Sequence, residues 1–147
     1  MGAGKKDRKK RLRLEASRPE HWKDAPDGHD FPAAASYLGL IADGRTIEAL
    51  VLALRSAPTL HAKAKDLLRA SRLPLLGTDN AHVVADLDKV RGGEPLSPVL
   101  LVRGALRHDR PLTVADGYHR ICASYHLDEN ADIPYRIVDL PPVEAGE

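Results

Sequence analysis

The chain has 147 residues and a mass of 16.0 kDa, which suffices for one domain with a hydrophobic core but not for two ordinary domains. Hydrophobic residues make up 43% and charged residues 29%, as in a soluble globular protein, and no apolar run approaches the roughly 20 residues of a transmembrane helix. The single cysteine, Cys122, excludes an internal disulfide framework. Because the basic N-terminus also lacks the apolar stretch of a secretory signal, we expect a cytoplasmic protein without membrane contact.

The net charge of +1 conceals an uneven distribution along the chain. Residues 1–14 hold seven of the 22 basic residues and one of the 21 acidic ones, so the rest of the chain is near −5. A basic tail, here from Lys5 to Arg13, either neutralises nucleic-acid phosphates or remains a solvated, disordered segment. No aromatic residue interleaves with it for base stacking, which favours the solvated segment. Nucleic acid stays open as a partner.

The first half of the chain divides into a tail and a helical extension. Residues 1–29 lack apolar periodicity and predict a disordered basic tail. Trp22 is expected to anchor the end of that tail to the core. Residues 30–72 predict a helical N-terminal extension, whose first helix begins near Phe31.

Two further helices are predicted within the extension. One follows Thr46 as its N-cap and ends before Pro58. The next is capped by Thr59 and presents an apolar face of Leu60, Ala64, Leu67 and Leu68. Three consecutive helices are compatible with a helix-turn-helix, but the apolar second helix is a poor match for a DNA-reading helix. We expect these helices to pack on the following sheet or on a second subunit of a homodimer.

Residues 73–141 alternate between helical and strand patterns. A helix capped within 77–80 buries a stripe of Val83, Val84, Leu87 and Val90 and ends at Gly92 and Gly93. Strand, strand, helix and strand patterns then follow over 98–102, 112–115, 117–127 and 133–138. Because Pro134 cannot donate a hydrogen bond to a neighbouring strand, we expect it on an edge strand or at the start of its strand. This order predicts an α/β (α+β) fold, a small mixed β-sheet with packed helices.

The most informative residues are those where the second strand passes into the next helix. That helix opens with Gly117-Tyr118-His119-Arg120. The first amides of a helix lack intrahelical acceptors and lie at the positive end of its dipole, so they bind anions, most often phosphate. Gly117 permits close approach of a ligand, while His119 and Arg120 add donors. Asp116 is an N-cap, an orienting partner of Arg120 or a ligand of phosphate-bound Mg²⁺.

The segment 73–140 resembles the ParB/sulfiredoxin-like domain, a family that includes partition proteins that bind CTP, sulfiredoxins that use ATP, and free serine kinases. The resemblance covers about half the chain. It rests on the run from Asp116 to Arg120, on the helix that continues to Tyr125, on the strand from Ile133 to Val138 and on residues 75–102.

The resemblance implies that Gly117, His119 and Arg120 line a nucleotide phosphate site that binds CTP or ATP, with or without Mg²⁺. In sulfiredoxins the preceding helix also contributes polar side chains, which implies roles for His82 and Lys89 here. Tyr118 occupies the position of the reactive cysteine of sulfiredoxins, so the resemblance does not imply repair of sulfinic acids. The acidic residue and the second arginine of partition proteins are also missing.

From the sequence we expect a nucleotide-binding protein. The alternatives are a phosphotransferase or hydrolase at the same site and a DNA-associated protein or nuclease that uses the basic tail. Cys122 is expected to be a buried core residue. A zinc site built from His119, Cys122 and His126 is disfavoured, because about 10 Å of helix separates the two histidines. No metal site is therefore predicted.

Overall fold

The computed structural model of the protein describes residues 22–142, so the basic tail from Lys5 to Arg13 lies outside the described residues. Five helices and four strands are present in the described part of the chain. In chain order they are α1 (Asp30–Leu38), α2 (Gly44–Ser56), β1 (Leu60–Lys63), α3 (Ala64–Ser71), α4 (Ala81–Arg91), β2 (Val99–Val102), β3 (Thr113–Asp116), α5 (Tyr118–Leu127) and β4 (Asp132–Val138). None of the helices within 22–142 has the length and apolarity to cross a bilayer.

The four strands form one mixed sheet in the order β1-β4-β2-β3. The central pair, β2 and β4, is parallel, whereas β1 and β3 run antiparallel to their neighbours. All four residues of β2 are buried, as expected for an aliphatic strand with helices on both faces. The predicted α/β class with a small mixed sheet and packed helices is confirmed. Pro134 lies near the start of β4, just before the pairing with β2 begins at Tyr135.

The core has two layers, one on each face of the sheet. The first layer joins α3, α4 and α5 to the sheet through Leu67, Val83, Leu87, Leu101, Ile121 and Ile133. The second layer joins α1 and α2 to the opposite face through Phe31, Ala34, Leu50, Leu54, Leu100 and Val102. The predicted packing of the N-terminal helices on the sheet is thus confirmed.

The prediction of a helix capped by Thr59 was wrong, because residues 60–63 form the edge strand β1. Leu60 pairs with Tyr135 of β4 and is 44% exposed, so it does not belong to a buried helical face. The helix begins only at Ala64, where the amides of Ala64 and Lys65 donate to the carbonyls of Ala131 and Glu129. Backbone pairing with a distant strand overrides the local helical periodicity here.

Two smaller predictions also need correction. The N-cap of α2 is Asp43 rather than Thr46, and Thr46 instead donates its amide to the Asp43 carboxylate at 2.8 Å. Val84 is exposed, so the buried stripe of α4 consists of Val83, Leu87 and Val90. Val84 lies about 100° around the helix from Val83 and so falls outside the narrow arc that Val83, Leu87 and Val90 share.

From Trp22 onward the chain packs against the rest of the domain. Trp22 bridges to Leu96 and packs against the first core layer, which confirms its predicted role as an anchor. The amide of Lys23 donates to the Leu96 carbonyl at 2.8 Å. Residues 22–29, assigned above to the tail, therefore lie beside the start of α1 and close to the C-terminal end of α4.

Candidate functional site

The turn between β3 and α5 has the geometry that the sequence predicts for an anion site. Gly117 is the N-cap of α5, with φ of +110°, and no side chain caps the helix. Its carbonyl accepts from the amide of Ile121 at 3.0 Å, so the three amides before Ile121 have no acceptor within the helix. The start of α5 therefore offers free donors beside a residue without a side chain.

Arg120 is held over this turn by an ion pair. Its Nη2 donates to Asp116 Oδ2 at 3.0 Å and to the Pro98 carbonyl at 3.3 Å. The two side chains are only 15% and 17% exposed. The Nε atom of Arg120 is buried and has no partner among the described residues. Of the three roles considered for Asp116, the structure thus supports the one that orients Arg120, and it corrects the N-cap alternative, since Gly117 is the N-cap.

Six of the seven predicted site residues line one cavity of about 220 Å³ at the start of α5. Asp116, Gly117, His119 and Arg120 come from the turn and from α5. His82 and Lys89 come from α4, which packs beside α5. Asn80 fixes the beginning of α4, because its side chain accepts from the amides of His82 at 3.0 Å and Val83 at 3.2 Å. The spacing of seven residues brings His82 and Lys89 to the same face of that helix.

Tyr118, the seventh predicted residue, does not line the cavity. Its hydroxyl donates to the Pro74 carbonyl, and its ring stacks on His119 with centroids 5.7 Å apart. His119 also contacts His82, with ring centroids 4.7 Å apart. Tyr118 is therefore a residue that positions His119.

The ionisable groups of the cavity influence one another. Burial lowers the pKa of His119, and the neighbouring His82 and Arg120 lower it further, although Asp86 opposes them. Burial raises the pKa of Asp86, against the effect of Arg120 and Lys89. Burial likewise raises the pKa of Asp116; its ion pair with Arg120 opposes that change, and the adjacent Asp30 carboxyl reinforces it. The cavity thus combines several nitrogen donors with two carboxyl groups for which burial disfavours the charged form.

A second cavity of about 290 Å³ adjoins the first. Asp86, Lys89 and Arg120 line both cavities. The second is completed by Lys23, Asp27, His29, Glu94, Pro95, Leu96 and Ser97. The segment before α1 therefore forms part of the wall near the predicted site.

Sequence reasoning missed Asp86 and the segment from Lys23 to Asp30. Asp86 lies four residues after His82 and three before Lys89, so helical spacing could have placed it on the same face. Asp30, which is 2% exposed, lies close enough to Asp116 to raise the pKa of the Asp116 carboxyl. No local signal identifies that contact, because 86 residues separate the two positions.

Two further groups with chemical potential lie outside the Gly117 turn, namely Cys122 in the core and the cluster of Asp27, His29 and Asp30 before α1. Cys122 is fully buried, as predicted, and burial raises the pKa of its thiol. The groups of Asp27, His29 and Asp30 lie within 4.8 Å of one another, close enough to share a metal ion. However, Asp27 already pairs with Lys23 at 2.7 Å, and Asp30 accepts from the Asp27 amide at 2.9 Å.

Comparison with known proteins does not assign the chain to a family. No protein-family model matches it, and searches of curated proteins and of solved structures likewise found no match.

Proposed function

We propose that this protein binds a nucleotide, CTP or ATP, through its phosphate groups at the Gly117 turn. The observation that supports this function best is the convergence of His82, Lys89, His119 and Arg120 on one cavity. These four side chains come from two helices with two intervening strands, and they surround amides that have no helical acceptor. Cationic and neutral nitrogen donors around a helix N-terminus stabilise a phosphate group.

The size of the cavity suits the phosphate chain rather than the whole nucleotide. Complete small-molecule sites usually occupy about 300–1,000 Å³, whereas this cavity measures about 220 Å³. The adjoining 290 Å³ cavity shares Asp86, Lys89 and Arg120 with it. The sugar or base of the ligand therefore has room next to the phosphates, against the segment before α1.

We further propose that the nucleotide binds together with Mg²⁺. Asp86 and Asp116 line the same cavity as the basic groups, and a carboxylate near phosphate is unfavourable unless a proton or a cation neutralises it. Mg²⁺ prefers carboxylate and phosphate oxygens and usually retains several waters. Asp86, which has no ion pair among the described residues, is the better placed of the two carboxylates to contact a hydrated ion.

We also propose that the segment 73–140 has the ParB/sulfiredoxin-like fold. The order α4, β2, β3, α5 and β4 agrees with the order of elements that the resemblance implies. The Gly-x-His-Arg opening lies at the start of α5, next to the cavity. Because Tyr118 stands where sulfiredoxins have a cysteine, the proposal is limited to nucleotide binding.

A thermal-shift panel of CTP, ATP, GTP, UTP and inorganic triphosphate, each with and without Mg²⁺, tests the proposal. A ligand that binds only the folded state raises the unfolding temperature with its concentration. We expect one nucleotide to stabilise the protein with Mg²⁺ and Lys89→Gln to weaken its binding at least tenfold.

The matched control is Arg91→Gln, which removes a cation from the same turn of α4 without touching either cavity. Its affinity for the nucleotide should equal that of the unaltered protein. Equal losses in the two variants would mean nonspecific charge attraction, and the absence of stabilisation by both CTP and ATP would refute the proposal.

A further inference from the structure

A third cavity, of about 480 Å³, lies on the sheet face that α3 covers. It shares no lining residue with the two cavities near Gly117. Its walls are α3, the ends of β2 and β4, and the loop 103–112, which contains the one-turn 3₁₀ helix Leu106–His108. Its volume falls within the range of about 300–1,000 Å³ that is usual for small-molecule sites.

The floor of this cavity is apolar. It consists of side chains that continue the first core layer, namely Ala62, Leu67, Leu101, Leu112, Tyr135 and Ile137. Leu106, at the rim, is 99% exposed although it belongs to the loop that forms the wall. An apolar part of a ligand that lay on this floor would shield the floor and the Leu106 side chain from water.

The rim is basic. Arg69, Arg72, Arg103 and Arg110 line the opening, against a single acidic lining residue, Asp66. Arg72 pairs with Asp109, and Arg103 pairs with Asp139 at 2.7 Å, but all four of these side chains are more than half exposed. Such exposed pairs are weakly held, so an incoming anion competes with them easily.

Arg110 is the best candidate for direct contact with an anion. Its guanidinium forms no ion pair with any residue of 22–142, whereas its backbone is fixed by two hydrogen bonds to Ala105, of 2.9 and 3.0 Å. The side chain is thus available to a ligand while its attachment point is held in place.

We propose that this cavity binds a small amphipathic carboxylate, with its apolar body on the leucine and tyrosine floor and its carboxylate at the arginine rim. A nucleotide phosphate chain does not suit the floor, which offers it few donors. Arg69, Arg72 and Arg103 already pair with acidic residues, but a purely apolar molecule would leave Arg110 without a charged partner among residues 22–142. The site is separate from the proposed nucleotide site and does not depend on it.

Titration calorimetry with decanoate tests the proposal, with 1-decanol as a neutral analogue and acetate as an anion without an apolar body. We expect saturable binding of decanoate, at least tenfold tighter than binding of either analogue. Arg110→Gln should weaken decanoate binding at least fivefold. Arg107→Gln, in the same loop but outside the cavity lining, should leave it unchanged, as should Lys89→Gln at the nucleotide site.

Three outcomes would overturn the proposal: no saturable binding of decanoate, equal affinity for decanoate and decanol, or equal losses in Arg110→Gln and Arg107→Gln. Both arginines are exposed and lie outside the core layers, so neither substitution is expected to prevent folding.

Discussion

At the scale of the residue, Gly117 determines whether the start of α5 can exist in its present form. Its φ of +110° is rarely adopted by residues with a side chain. A Cβ atom at this position would lie 2.8 Å from Val99 Cβ and 2.9 Å from Arg120 Nη2. Gly117 therefore permits both the turn and the ion pair that Arg120 makes with Asp116.

Gly117→Ala should lower the free energy of unfolding by about 2–4 kcal/mol, because it adds backbone strain to steric overlap. Chemical denaturation measures the change. Gly44→Ala is the matched control, since a Cβ at this first residue of α2 has no neighbour within 4 Å. It should alter stability by no more than about 0.5 kcal/mol. Similar costs for the two substitutions would contradict the role assigned to the Gly117 turn.

At the scale of the element, the sequence predicts helices better than it predicts the sheet edge. Asn80 was expected within the cap of α4, and it is the cap, because capping depends on residues two or three positions apart. β1 was missed because its partner strand β4 lies some 70 residues away, and no local pattern records that pairing. The same limit applies to the site. His82 and Lys89 could be predicted because their spacing places them on one face of one helix, whereas the contact between Asp30 and Asp116 joins distant parts of the chain and could not.

Asn80→Ala should lower the free energy of unfolding by about 1 kcal/mol, because two amides of the first turn of α4 lose their acceptor. Hydrogen exchange should quicken at the His82 and Val83 amides in particular. Asn80→Ser keeps an acceptor and should restore stability to within a few tenths of a kcal/mol. The cap assignment fails if the serine variant is as unstable as the alanine variant.

At the scale of the whole molecule, the two core layers share one sheet. β2 contributes Leu101 to the first layer and Leu100 and Val102 to the second. β1, from the segment predicted as an N-terminal extension, pairs directly with β4. We therefore expect the helices of 30–72 and the segment 73–141 to unfold together rather than as separable parts.

Leu54→Ala tests this cooperativity, because Leu54 is fully buried in the second layer and Trp22, the only tryptophan, packs against the first. The substitution should cost about 2–5 kcal/mol. If the layers unfold as one unit, urea denaturation followed by Trp22 fluorescence and by circular dichroism should shift to the same lower midpoint. Leu52→Ala, on the same helix but at a side chain that is 71% exposed, should leave both midpoints nearly unchanged. A Trp22 transition that stays in place while the circular dichroism transition moves or splits would show that the layers unfold independently.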